Sequence, residues 1–531
     1  MAELDHYDVV IIGSGAGGGT LAWKLAPSGK RILLLERGPY LRRERDHWET
    51  SAVFVRAKYH CTEEWLDDDG NEFSPEQNYY VGGNTKFYGA ALFRLRPEDF
   101  GVLQHHGGLS PAWPLSYKDF EPFYAQAEQL YHVHGAAGED PTEGPRSTDF
   151  PYPAVRHEAR IQKLHDDLVL LGLHPSHLPL GVMLDQDEQG EASHGSACIR
   201  CDRLDGFPCL VNGKADAQVV CVDPALEHPN VTLVTDARVT KLETDPSGRQ
   251  VTSVVAERPD GSPVRFSGDV VVVSCGALNS ALLLLGSAND THPRGLANGS
   301  DQVGRNYVRH NNTAVIALSR TANNTRLQKT LVLNDWYLKG EDWDYPWGSI
   351  QMLGKSDGEQ LRALAPHFVA WGAKLTPGGL LEDIARHGVD FWMSSEDLPR
   401  ADSRITLDKD GTVRLSLPKD NNTEGLTRMR RKFDSMLADL GFHQKSHQRG
   451  VYLHEGMNIA ATAHQAGTAR FADDPATSVL DANCKAHELD NLYVVDSSFF
   501  VSIGAVNPTL TIIANALRVG EHIDGRLAGS A

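Results

Sequence analysis

What this 531-residue chain lacks is a long unbroken apolar run, an excess of positive charge, a complete metal-ligand set and any internal repeat. The longest apolar stretch, residues 270–286, is interrupted by Ser274, Asn279 and Ser280, so it reads as strand, turn and buried helix rather than a membrane span. Lys and Arg number 51 against 70 Asp and Glu, a net charge of −19 that speaks against nucleic acid or an anionic membrane as partner. Only seven cysteines are present, an odd number, and the first strand begins within a few residues of Met1. With no room read for a signal peptide, a cytoplasmic protein with reduced thiols is expected. Cys198, Cys201 and Cys209 supply three legs of a zinc site, but no His or second Cys-x-x-Cys stands at the spacing a closed site needs, so no metal is expected. The acidic loop 63–72 places Gly70 wrongly for a calcium loop and reads as a solvated loop or lid.

Hydrophobic content of 41% and charged content of 23% are those of an ordinary soluble globular protein, and the length calls for two or more units. The informative segment is Asp8-Val-Val-Ile-Ile-Gly-Ser-Gly-Ala-Gly-Gly-Gly-Thr20, followed by Arg31-Ile-Leu-Leu-Leu-Glu36-Arg37-Gly38. A short apolar run ends in Gly13, Gly15 and Gly18, and a helical stretch from about Gly17 to Ala26 stops at Pro27 and Gly29. Gly13 permits a tight turn, Gly15 lets the backbone approach a pyrophosphate, and Gly18 lets helix and strand pack closely. The helix start offers free N–H groups to the phosphates. Glu36, closing the second strand, is placed to bond an adenosine ribose and would repel a 2′-phosphate, which disfavours NADP.

Further strand-like pieces follow at residues 231–243, 251–257 and 264–266, the last two flanking the turn Pro259-Asp-Gly261. Asp269-Val-Val-Val-Val-Ser-Cys-Gly276 then leads into a helix through Leu285, and Asn491-Leu-Tyr-Val-Val-Asp496 precedes a helix from Pro508 to about Ile523. The expected fold class is α/β: a Rossmann-like cofactor domain assembled from residues 1–100, 191–300 and 456–531, with an α+β substrate domain from 101–190 and 301–455 lying over it. Within the second unit Trp336, Trp343, Trp347 and Gln351 crowd together, and aromatic faces beside an amide suit a sugar ring. Trp336, Trp347 and Gln351 are therefore the substrate candidates.

Two C-terminal segments carry the chemistry: Ala461-Thr-Ala-His464-Gln-Ala-Gly467-Thr468 and Gly504-Ala-Val-Asn507-Pro508-Thr509. Together with Gly13/Gly15/Gly18/Glu36, Val81-Gly82-Gly83-Asn84-Thr85 and Gly276-Ala-Leu-Asn-Ser-Ala-Leu, they resemble the glucose–methanol–choline oxidoreductase family along essentially the whole chain. The resemblance implies FAD, held by Gly13, Gly15, Gly18, Glu36, Arg37, Gly82, Gly83, Asn84, Thr85, Val239, Gly276, Asp496, Pro508 and Thr509. It also implies a His–Asn pair facing the flavin, His464 and Asn507. Within the family the motifs look most like pyranose oxidases and their bacterial relatives that oxidise glucosides at C2 or C3, C-glycoside 3-oxidases included. Fungal pyranose oxidases attach FAD through a histidine just after the Gly-Gly turn, where this chain has Phe87, so noncovalent FAD is expected.

The pair makes chemical sense without the family. Turning an alcohol into a ketone removes a hydroxyl proton and a hydride, and a neutral imidazole such as His464 accepts the proton. The Asn507 amide holds the hydroxyl oxygen in place. Pro508, read at the first helical position, pre-sets a helix whose N-terminus favours negative charge on the reduced cofactor. The expected activity is a sugar oxidase reducing oxygen, with a quinone- or protein-linked dehydrogenase as the alternative. A hydroxynitrile lyase and a lipid-carrier escort protein are more distant readings of the same fold.

Overall fold

The computed structural model describes residues 5–75, 77–364, 378–442 and 464–529. Residues 461–463 of the catalytic motif, and the unit boundary expected at 455–456, lie outside them. In chain order, β1 (Asp5–Ile12), α1 (Ala16–Leu25) and β2 (Ile32–Leu35) come first, then α2 (Ala159–Leu170) and β3 (Ser176–His177). Next are β4 (Val231–Val234), β5 (Arg238–Thr244), β6 (Val251–Glu257), β7 (Pro263–Val273) and α3 (Ala277–Gly286). Then follow β8 (Asn311–Leu318), β9 (Leu331–Leu333), β10 (Ser349–Met352), β11 (Gly388–Ser395), α4 (Glu424–Asp439), β12 (Leu492–Val494) and α5 (Thr509–Gly529).

Seven strands form the first sheet, in the order β4-β2-β1-β7-β6-β5 with β12 also paired to β7. The pairings β4/β2, β2/β1, β1/β7 and β7/β12 are parallel, whereas β7/β6 and β6/β5 are antiparallel. Val9–Ile12, Ile32–Leu35 and Val270–Val273 are buried throughout, as strands covered on both faces must be. This α/β layer matches the fold class expected from the sequence.

Local details differ from the sequence reading for identifiable reasons. The run 231–243 is two strands, because Asp236 takes a left-handed φ of 52° and separates the parallel β4 from the antiparallel β5. The pieces at 264–266 and 269–273 are instead one strand, β7, continuous through Ser267 and Gly268. The last helix runs on to Gly529, and it starts at Thr509, so Pro508 stands just before the first helical residue and accepts from Ile512 N at 3.2 Å.

A second, five-stranded sheet has the order β8-β11-β10-β9-β3 and is antiparallel throughout. Its side chains alternate. Ile350, Met352, Val389, Phe391 and Met393 face a separate core completed by Ile161, Leu164 and Leu168 of α2 and Met429, Phe433 and Leu437 of α4. The intervening residues Gln351 and Trp392 turn the other way and line the large cavity described next.

Candidate active site

One cavity of about 1110 Å³ is lined by the first glycine turn, Glu36, Gly83–Thr85, Ala237–Thr240, Gly276, His464, Asn507 and the residues that start α5. Its first stretch is mostly backbone. Gly13 has φ +102°, and a Cβ there would lie 2.2 Å from the Ser274 carbonyl oxygen, so the turn tolerates only glycine. A Cβ on Gly18 would strike the Gly13 carbonyl oxygen at 1.9 Å, which is how closely α1 packs on the turn. Over Gly15 the space is open, with no protein atom within 4 Å of an added Cβ. Gly15 caps α1 without a side-chain hydrogen bond, leaving first-turn N–H groups for a ligand anion.

Glu36 ties this turn to the second one. Its Oε2 accepts from Ser14 Oγ at 2.6 Å and Ser14 N at 3.2 Å, while Oε1 accepts from Gly38 N at 3.0 Å. Ser14 Oγ in turn accepts from Gly82 N at 3.1 Å. Burial pushes the Glu36 carboxyl pKa upward. Asn84 Oδ1 accepts from Asn78 N at 2.9 Å and Thr85 Oγ1 from Ala217 N at 2.9 Å, so both side chains brace the loop. Arg37 stacks over Tyr79 at 3.6 Å and donates to Glu63 Oε1 at 2.8 Å, which brings the acidic 63–72 segment against the cavity. Val239 lines the wall beside Ala237 and Arg238. Asp496 accepts from Gly276 N at 3.0 Å and Ser498 N at 2.8 Å, joining β12 to the start of α3.

The other stretch is a cluster of side chains. His464 Nε2 lies 3.3 Å from Asn507 Nδ2, and Gln351 Nε2 donates to Asn507 Oδ1 at 2.8 Å. The segment 504–507 is held by the second sheet and the connection between β9 and β10: Ser394 Oγ donates to the Ala505 carbonyl at 2.8 Å, and the Ala505 N–H donates to Tyr337 Oη at 3.0 Å. Gly504 N donates to the buried Glu396 at 3.3 Å. Lys329, 2% exposed, pairs with Asp205, whose other oxygen accepts from Gly354 N at 2.6 Å. Desolvation first, then the Lys329 charge, hold the His464 pKa down to about 4, so its imidazole is neutral at neutral pH.

Of the residues singled out from sequence, His464, Asn507, Gln351, Pro508 and Thr509 come together on this cavity. Trp336 and Trp347 do not line it. They are 3% and 4% exposed and pack on each other at 5.5 Å within the second core. The tryptophan of the second sheet that does line the cavity is Trp392, on the strand next to that of Gln351. The sequence reading also passed over His310, Lys329, Asp205 and Gln360. Trp392 had a signal, the alternation Val389/Phe391/Met393 against Asp390/Trp392/Ser394, whereas a lone histidine and a lone lysine carried none.

Comparison with known proteins agrees with this architecture. The profile of the GMC oxidoreductase family matches residues 176–312 and 399–516, and that of an NAD(P)-binding Rossmann-like domain matches residues 11–51. The chain is 30% identical to the 6‴-hydroxyparomomycin C oxidase of Streptomyces lividus over 98% of its own length and 92% of that protein. It therefore belongs to the GMC oxidoreductase family, flavoproteins acting on CH–OH donors. The paromamine 6′-oxidase of Streptomyces fradiae is 29% identical, again over 98% of this chain and 92% of the relative. Among solved structures, pyridoxine 4-oxidase from "Mesorbium loti" superposes with a TM-score of 0.65 at 18% identity, covering 97% of this chain and 98% of that one, which speaks for the fold alone. FAD fits the cavity: the uncapped helix start and the open space over Gly15 suit its pyrophosphate. Among the described residues no helix is long and apolar enough to cross a membrane, and no cluster of three or more His, Cys, Asp or Glu is arranged for a metal ion.

Proposed function

We propose that the chain is an FAD-dependent oxidase that converts a secondary hydroxyl of a pyranose or glycoside, at C3 or C2, to a ketone and passes the electrons to oxygen, C-glycosides being within its range. The observation that carries the sugar reading is a set of three buried polar atoms on the cavity lining with no partner among the described residues: Gln351 Oε1, Gln360 Oε1 and Trp392 Nε1. A buried polar atom left unpaired costs about 1–3 kcal/mol, so two acceptors and one donor beside an indole face favour a ligand rich in hydroxyls. The relatives named for oxidising paromamine and 6‴-hydroxyparomomycin C support the same substrate class.

In this reading His464 removes the hydroxyl proton as the general base, for which its neutral, desolvated imidazole suits it. Asn507, braced by Gln351, holds the hydroxyl oxygen and so orients the C–H to be cleaved. When bound, FAD supplies the acceptor for the hydride. Gly13, Gly15, Gly18, Glu36, Arg37, Gly82, Gly83, Asn84, Thr85, Val239, Gly276, Asp496, Pro508 and Thr509 form its seat. Phe87, packed between Tyr59 and Tyr80, stands where a histidine would be needed after the Gly-Gly turn, which supports noncovalent FAD. The cofactor unit is taken as 1–100, 191–300 and 456–531 and the substrate unit as 101–190 and 301–455; the described strands of the first sheet fall in the former and those of the second in the latter, which supports the division.

Anaerobic mixing of the FAD-loaded enzyme with free sugars, O-glucosides and C-glucosides tests the proposal, with the product identified by NMR. Flavin bleaching and a 2- or 3-keto product are expected, and His464→Ala should slow bleaching by about 100- to 10,000-fold while retaining FAD. Flavin that stays oxidised with every sugar offered, or a His464→Ala variant that bleaches normally, overturns it. Peroxide in step with ketone in air is expected; rapid quinone reduction with little peroxide would replace oxygen as the acceptor.

A further inference from the structure

Behind His464 stands a second buried histidine, His310, at the start of β8. The Nδ1 atoms of the two rings are 3.1 Å apart and the ring planes lie at 89°. Two imidazole nitrogens at that separation need one proton between them. The Asn507 side of His464 says which ring supplies it. Gln351 Nε2 donates to Asn507 Oδ1, which turns Asn507 Nδ2 toward His464 Nε2 at 3.3 Å. An NH₂ group donates only, so His464 Nε2 must present its lone pair. The proton of neutral His464 therefore sits on Nδ1 and is donated to His310 Nδ1, which leaves the proton of neutral His310 on Nε2, a buried atom with no hydrogen-bond partner among the described residues.

We infer that His310 is a positioning residue that fixes His464 as the Nδ1-protonated tautomer, so that the bare Nε2 faces the substrate cavity. The inference rests on the reading of His464 as the base and adds what makes it one. His310 is itself held in place, since its backbone N–H donates to Asp397 Oδ1 at 2.9 Å and its φ of 74° sets it in the left-handed region. When a hydroxyl proton arrives on Nε2, the Nδ1–H bond to His310 is kept and the ring becomes a cation. The charged and titratable groups facing the pair are Lys329 toward His464 and Glu396 toward His310. The anionic Glu396 is the one that favours positive charge on the histidine pair.

The test reads the tautomer directly. In FAD-loaded enzyme labelled with ¹⁵N-histidine, the His464 resonances are assigned by their loss in His464→Ala. An Nδ1 shift of the protonated kind and an Nε2 shift of the unprotonated kind are expected, the reverse of the tautomer preferred by free histidine. His310→Phe removes the acceptor and should return His464 to the Nε2-protonated form, lowering the rate of anaerobic flavin reduction about 100-fold with little change in the saturating sugar concentration. His310→Asn places an amide oxygen where Nδ1 stood and should recover the tautomer and most of the rate. An Nε2-protonated His464 in the parent enzyme overturns the inference even if both variants fail to fold, as does a His310→Phe variant that reduces flavin at the parent rate. If His464→Ala reduces flavin normally, it is the base assignment that falls.

Discussion

The two stretches of the one cavity are built in opposite ways. Around Gly13–Gly15 and Gly83 the lining is backbone, drawn from two short segments tied together through Ser14 and Glu36. Around His464 it is side chains, Gln351 and Trp392 brought by the second sheet, Asn507 by the segment leading into α5, and Asp205 and Lys329 by connecting segments. Backbone recognition suits a cofactor of fixed shape, since every residue offers the same N–H and only glycine lets it come close. Side-chain recognition suits a substrate that differs between relatives, because one strand position can change while the sheet stays put.

The largest effect expected from this contrast is on the backbone side. Gly18→Val drives a Cβ into the Gly13 carbonyl, so the protein should purify without flavin and lose about 4 kcal/mol or more of stability. Gly15→Ala meets no protein atom, so the apoprotein should melt as the parent does while FAD binding weakens. Differential scanning calorimetry and flavin absorbance separate the two. If Gly15→Ala instead unfolds the apoprotein, the turn is a structural device and the comparison fails.

A smaller effect is expected on the side-chain half, where two tryptophans should behave oppositely. Trp336→Ala opens a hole in the second core and should cost about 3–5 kcal/mol while leaving the KM for sugar unchanged. Trp392→Ala should leave the melting temperature close to that of the parent and raise KM about tenfold, from the loss of a stacking face and its N–H. Steady-state kinetics beside thermal melts decide this, and a raised KM in Trp336→Ala would return that residue to the substrate site.

This difference also governs how much was legible in the sequence. The dinucleotide turn was readable because its requirements are local: Gly13, Gly15, Gly18 and Glu36 stand at fixed spacing along strand, turn and helix. His464 and Asn507 were readable through their flanking motifs. The rest of the catalytic cluster was not, because a residue's place there depends on which face of the second sheet it occupies. Trp336 and Trp347 are close in sequence to Gln351, yet they pack in the core while Gln351 turns to the cavity. His310 meets His464 from 154 positions away, and no spacing rule spans such a distance. The break at Asp236 was likewise hidden, since a non-glycine residue in a left-handed conformation leaves no compositional mark.

The finest probe of the side-chain half is the charge on Lys329. His464 has its pKa lowered from an ordinary 6.5 to about 4, by desolvation first and by Lys329 second. Flavin reduction should therefore be flat from neutral pH downward and fall only as the pH approaches 4, where the base becomes protonated. Removing both members of the ion pair, Lys329→Met with Asp205→Asn, deletes the nearby cation without leaving its partner unpaired. The His464 pKa should then rise and the acid limb of the rate profile should move to higher pH. Stability follows the same sign. A histidine whose folded pKa lies below its unfolded one binds fewer protons when folded, so its contribution is lost as pH falls from about 6.5 toward 4. In the double variant that window narrows, and the protein should tolerate pH 5 better while its flavin is reduced more slowly there. Stopped-flow rates and urea melts across pH 4–8 measure both. An acid limb that does not move would assign the lowered pKa to desolvation alone, leaving Lys329 and Asp205 as a brace within the side-chain half of the cavity wall.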